Sequence, residues 1–215
     1  IDPSPFLGGC SREDARESLL PGGGDGCWFG TLGRLSEVKN QRTLLRAFAR
    51  VSAVEPKARL FLAGRGELEG ELKALSERLG LTEKVVFLGF RRDVPQILRA
   101  LDVFVLPSLR EGLPLSLMEA MCSALPVLAS RVGGIPELFG NADIGTLVDP
   151  IDEASLAEEM IALARMPVEE RERLGDNART HVLAHFTAGI MTRRYATIYA
   201  EALEEARCGR SGLTA

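Results

Sequence analysis

Two glutamates eight positions apart, Glu111 and Glu119, stand in the stretch 101–138, LDVFVLPSLREGLPLSLMEAMCSALPVLASRVGGIPEL. A carboxylate can grip a vicinal pair of hydroxyls. Between the two lies what reads as a helix N-terminus, whose free N–H groups and positive dipole end suit a phosphate. Counted as helix, eight residues span roughly 12 Å at about 1.5 Å per residue, about the length of a diphosphate with a sugar on each side. The pair therefore suits a nucleotide diphosphate sugar, one Glu for the ribose and the other for the second sugar. The plainer alternative puts Glu111 near a helix start, where acids are favoured, and Glu119 on the wet face of that helix.

The flanking residues name the elements that must position these groups. Val103–Leu106 is an apolar run long enough for a buried strand, and Pro107 and Ser108 stop it. Arg110, Glu111 and Gly112 form a loop. Pro114 suits the first turn of a helix, where its missing N–H costs nothing. Residues 115–124 are plausible helix formers, with Leu117, Met118, Met121 and Cys122 as an apolar stripe at helical spacing. A second buried strand, 126–129, follows, then a turn at Gly133 and Gly134. Strand, loop, helix and strand make half of a doubly wound α/β sheet, which takes ligands outside the carboxyl ends of its strands.

Upstream, the strand 27–33 ends in Gly33, followed by Arg34 and Lys39 and then a helix over Gln41–Val54 with Leu44, Leu45, Ala47, Phe48 and Val51 facing a core. A glycine-ended strand with two cations beside it is a reasonable diphosphate cradle. Taken alone, the same cations read as solvated surface. A second strand, 58–63, runs into Gly64-Arg65-Gly66-Glu67 and a helix over 68–79. That G-x-G lacks the third glycine of the dinucleotide fingerprint, and none follows the first strand, which disfavours an NAD-type site. The third strand, 84–89, is followed by Phe90 and Arg91, then by a short helix over Val94–Ala100. Gly145–Val148 gives a last strand, Asp152 caps a helix through 164, and 168–186 and 188–206 are two further helical patterns. His181 and His185 stand at i and i+4 with no third ligand evident, as on a surface helix.

Composition bounds the class. The 215 residues are 46% hydrophobic, ample for one globular core, and the net charge of −4 with no basic patch argues against a nucleic-acid surface. No apolar run approaches the ~20 residues of a membrane span. Cys10, Cys27, Cys122 and Cys208 are scattered without a C-x-x-C pair, which favours a reduced, cytoplasmic setting, with Cys27 and Cys122 in the core.

EGLPLSLMEA followed by LPVLASRVGGIPEL resembles the E-x7-E signature of family 4 retaining nucleotide-sugar glycosyltransferases. GRLSEVKN resembles the G-R-L-x-x-x-K-N segment of that family, and Ile1, Asp2 and Phe6 resemble the end of a segment just after its interdomain linker. The resemblance implies an α/β, Rossmann-like doubly wound parallel sheet of about six strands flanked by helices, one half of a GT-B enzyme. Residues 1–26 would be a post-linker segment with a helix over Arg12–Leu19, and 27–186 the nucleotide-sugar-binding domain. Residues 187–215 would be a C-terminal helix, with Tyr195 and Tyr199, crossing back to a missing N-terminal domain and leaving apolar surface bare.

By the same resemblance Arg34 and Lys39 bind the diphosphate, Glu111 holds the transferred sugar and Glu119 anchors the ribose. Gly33 and the loop AGRGEL, with Gly64 and Gly66, lie against the nucleotide, Phe90 and Arg91 are candidates for base contact (Arg91 and Arg92 read equally as a solvated pair), and Gly112, Leu113, Pro114 and Leu115 form the pocket at the helix start. The implied donor is a nucleotide diphosphate sugar, with no cofactor and no metal. The implied acceptor is a glycan, a lipid-linked or a small-molecule alcohol. The complete enzyme would be cytoplasmic, with peripheral contact at the inner membrane face, and this half alone would bind donor weakly and transfer little. Two alternatives stand beside this: a GT-B relative with epimerase or phosphorylase chemistry, and a non-catalytic nucleotide-sugar-binding module. The first leans on additional acids and histidines, where this chain offers two late His. The second would show as loss of Arg34, Lys39 or either Glu, and all four are present.

Overall fold

Six short apolar runs become six parallel strands: β1 (Trp28–Leu32), β2 (Arg59–Ala63), β3 (Val85–Gly89), β4 (Val103–Leu106), β5 (Val127–Ser130) and β6 (Gly145–Val148). They pair in the order β3-β2-β1-β4-β5-β6. The computed structural model describes residues 1–211, and side chains as far as Leu203. The side chain of Cys208 and residues 212–215, the end of the expected C-terminal segment, lie outside that description.

Central strands buried on both faces read as unbroken apolar runs, because helices cover each side of a parallel sheet. Along β4, Val103 and Val105 face one core and Phe104 and Leu106 the other. The first core takes α2 (Gln41–Val54), α3 (Glu69–Arg78) and α7 (Glu153–Arg165). The opposite core takes α1 (Arg12–Leu19), α4 (Val94–Ala100), α5 (Leu115–Cys122), α6 (Ile135–Phe139) and α8 (Val168–His185). Trp28, Phe29, Phe48, Phe61 and Phe104 are fully buried. Emptying any one of these aromatic positions costs about 3–5 kcal/mol.

The sequence expectations differ from these limits mainly at element ends. The helix expected over 115–124 stops at Cys122. Ala124 turns into the left-handed region at φ 55°, and Leu125 N–H closes back onto the Ala120 carbonyl at 3.1 Å, the bond of a Schellman cap. Pro114, expected in the first turn, stands one position earlier as the N-cap. Asp152 caps α7 as expected, accepting from Ser155 N–H at 2.9 Å.

The segment before β1 packs on the sheet. Ala15 and Leu19 of α1 are buried, and the same helix sends Arg16 to Asp102 at 2.5 Å. Asp102 also accepts the Trp28 N–H at 2.7 Å and faces Arg12 at 3.3 Å and Arg171 at 3.7 Å. One buried carboxylate thus joins α1, β1, β4 and α8. The last helix, α9 (Ala188–Ser211), keeps Met191, Tyr195, Ile198, Tyr199 and Leu203 exposed. Those positions recur at helical spacing, so α9 carries a bare apolar stripe.

Candidate functional site

A doubly wound sheet opens a crevice where successive connections leave in opposite directions, here between the carboxyl ends of β1 and β4. A cavity of about 870 Å³ occupies that place. The turn after β1 supplies Gly33, Arg34 and Lys39, the turn after β2 supplies Gly64 and Arg65, and Phe90 and Arg91 come from the end of β3. The β4–α5 loop and α5 contribute Glu111, Leu113, Pro114, Leu115, Ser116 and Glu119.

The β1 turn and the β4 loop are stitched together by their backbones. Leu109 N–H donates to the Val38 carbonyl at 2.8 Å, and Asn40 Nδ2 donates to the carbonyls of Pro107 at 3.1 Å and Pro150 at 3.0 Å. Asn40 holds this bridging position in the left-handed region, at φ 54°, which Asn tolerates better than most residues. Across these stitches Lys39 Nζ reaches Glu111 Oε1 at 2.5 Å, and Ser108 Oγ donates to the same oxygen at 2.7 Å.

Glycines set how closely the walls approach. Gly64 has φ 144°, and a Cβ there would lie 1.9 Å from the Gly33 carbonyl oxygen, so the turns after β1 and β2 touch backbone to backbone. Gly133 has φ 53°, and a Cβ there would fall 1.7 Å from the Glu111 carbonyl oxygen. Next to it, Gly134 N–H donates to the Gly112 carbonyl at 3.0 Å. The Gly-Gly turn after β5 therefore braces the backbone of the loop that carries Glu111.

Two of the expected site residues, Gly112 and Gly66, do not line the cavity. Gly112 is occupied by that bond to Gly134, and Gly66 abuts the Leu35 carbonyl, 2.2 Å from where a Cβ would stand. Arg91 lines the cavity with its guanidinium already paired to the Asp93 carboxylate two residues on, which also holds Asp93 below the usual carboxylate range. Glu111 belongs to a loop and Glu119 rides on the helix, as expected, but α5 begins only at Leu115, so the helical count of eight residues does not measure their separation.

The remaining groups are less committed. Arg34 and Arg65 are exposed, and no carboxylate pairs with either among the described residues. Glu119 is half-buried, with no side-chain hydrogen-bond partner among the described residues, and burial pushes its carboxyl above the usual value of 4.5. The amides of Leu115, Ser116 and Leu117 open α5 and have no acceptor within the helix. Phe90 is 65% exposed, an aromatic face held bare at the cavity. Guanidinia and helix N–H groups suit a diphosphate, a partnerless carboxylate suits hydroxyls, and a bare aromatic suits a planar ring.

Arg65, Ser116, Leu32, Ala63 and Val94 line the cavity without having been singled out in the sequence. A cation inside a Gly-x-Gly turn at a strand's carboxyl end is the signal that could have found Arg65. The two histidines lie elsewhere: their ring centroids are 4.9 Å apart on α8 with the planes tilted by 54°, and His181 Nε2 lies 2.9 Å from the Leu138 carbonyl.

Comparison with known proteins gives the following. Residues 22–181 match the family described as glycosyl transferases group 1. N-acetyl-alpha-D-glucosaminyl L-malate synthase of Bacillus anthracis is 32% identical over 174 residues, 81% of this chain and 45% of the relative. The chain thus spans less than half the length of that relative. Among solved structures, Anabaena HepE in complex with UDP-glucose superposes with a TM-score of 0.83 at 28% identity, over 94% of this chain and 56% of that one. The C-terminal domain of LpcC, a glycosyl transferase group 1 family protein from Francisella tularensis, shares the fold, with a TM-score of 0.77 at 24% identity, over 87% of this chain and 99% of that one.

Proposed function

The chain belongs to the glycosyl transferases group 1 family, and from that premise we propose that it is the donor-binding half of a retaining glycosyltransferase. The substrate is a nucleotide diphosphate sugar, and the transferred sugar goes to a hydroxyl of a glycan, a lipid-linked or a small-molecule acceptor. One observation carries the reading. One cavity at the switch point gathers two guanidinia and a carboxylate that have no partner among the described residues, together with the open end of α5, an ion-paired carboxylate and a bare aromatic ring. The ligand of Anabaena HepE, UDP-glucose, has a part for each of these groups.

In this reading Arg34, Lys39 and the first amides of α5 receive the diphosphate. As the bond to the sugar breaks, charge gathers on the leaving diphosphate, and donors gathered around it stabilise that charge. They do the work that a metal does in other transferases, so the reading calls for none. Glu119 takes the ribose hydroxyls and Phe90 flanks the base. Glu111, held by Lys39 and Ser108, accepts from the hydroxyls of the transferred sugar and fixes which face is presented. Retention asks no general base of this half. The acceptor enters from a second half absent from this chain, in a cytoplasmic enzyme that touches its membrane peripherally.

Calorimetric titration with UDP, GDP and ADP, and with their glucose and mannose forms, tests the assignment. The chain is expected to bind one of the three diphosphates with a Kd of about 1 mM or tighter. Replacing both Arg34 and Lys39 by Ala should weaken binding by about 10–100-fold, the size of lost charge-assisted bonds, and Glu119→Ala by about 10-fold. No binding of any of them at millimolar concentration, or binding untouched by these substitutions, would overturn it.

A further inference from the structure

We propose that Ser108 is a positioning residue, one that holds Glu111 in place for the donor sugar while Lys39 is drawn to the diphosphate. The inference rests on the donor-site reading above. Ser108 is fully buried, and its Oγ donates to Glu111 Oε1 at 2.7 Å. That same oxygen receives Lys39 Nζ at 2.5 Å. Two donors on one oxygen fix the carboxylate plane and leave Oε2, which no protein donor reaches among the described residues, to accept from a ligand hydroxyl.

The two donors are not equivalent. Lys39 carries a charge on a flexible stem, so an arriving diphosphate competes with Glu111 for it. Were Lys39 the sole tether, Glu111 would lose its orientation at the moment the donor binds. Ser108 has no charge for the diphosphate to attract, and its backbone cannot drift. Its neighbours on either side are bonded to the turn that carries Lys39, through the Pro107 carbonyl to Asn40 Nδ2 at 3.1 Å and through Leu109 N–H to the Val38 carbonyl at 2.8 Å. The buried hydroxyl thus keeps the sugar-facing oxygen in register when the ion pair loosens.

The test reads the sugar separately from the nucleotide. For the wild-type chain and for Ser108→Ala, calorimetry gives the ratio of UDP-glucose to UDP affinity, or of GDP-mannose to GDP affinity if guanine is the base bound. Ser108→Ala should leave the diphosphate within about 2-fold and move the ratio about 10-fold against the sugar form, the size of one charge-assisted hydrogen bond. In a Glu111→Gln background the same substitution should move the ratio no further, because Ser108 acts through that carboxylate. An unchanged ratio, an equal loss of diphosphate and nucleotide sugar, or additive effects in the double variant would each overturn the role of Ser108 and leave the donor-site reading intact. A wild-type chain that binds no diphosphate would overturn that reading and this role together.

Discussion

Among the described residues Glu119 has no side-chain partner, and this has a cost that can be measured. Burial raises its pKa above 4.5, so the folded state holds the proton more tightly than the unfolded state does. Its contribution to stability is therefore present at low pH and is lost as pH rises through the raised value. Glu119→Gln should accordingly raise the urea unfolding midpoint at pH 7, with the gain shrinking as pH falls toward 4.5, while nucleotide binding weakens by about 10-fold. An unfolding midpoint at pH 7 equal to or below that of the wild type would contradict this account of the residue. At this scale the glutamates were legible because their spacing and the helix-start residues between them are unusual together. Arg65 was not, because a lone cation in a glycine turn looks like any solvated surface residue until the fold places it beside Arg34. Ser108 showed in the sequence only as the end of a strand, since its bond to Glu111 is a matter of burial and direction.

The strands were legible to within a residue or two, because unbroken apolar runs between Gly- and Pro-bearing turns leave parallel strands few alternatives, whereas α9, expected to end at 206, runs to Ser211. β1 was expected over 27–33 and runs over Trp28–Leu32; Val94–Ala100 and Gly145–Val148 stand where expected. The part α1 plays was not legible. Its Arg16, with Arg12 and Arg171, converges on Asp102 from sequence separations that no local pattern connects. Removing one partner of a buried ion pair leaves charge uncompensated and costs about 3–5 kcal/mol. Asp102→Asn is therefore expected to destabilise the chain by about 3 kcal/mol in urea unfolding, without changing which nucleotide it prefers. A loss under about 1 kcal/mol would mean that the cluster is surface decoration of the kind exposed ion pairs usually are.

For the molecule as a whole, the strand order decides where function resides. Lys39 and Glu111 are 72 positions apart in sequence, yet they meet because β1 and β4 are neighbours at the point where the sheet reverses. The first residue and the start of α9 also meet: Ala188 N–H donates to the Ile1 carbonyl at 2.9 Å. From there α9 carries its bare apolar stripe away from both cores. The central claim is that the switch-point cavity is the donor site, and mapping amide shifts of the 15N-labelled chain during titration with UDP-glucose and GDP-mannose tests it most directly. The account predicts that one of the two moves the amides of Gly33, Arg34, Gly64, Arg65, Phe90 and the first turn of α5 and leaves α1 and α8 still. Shifts centred away from the cavity, or none with either ligand at millimolar concentration, would contradict it.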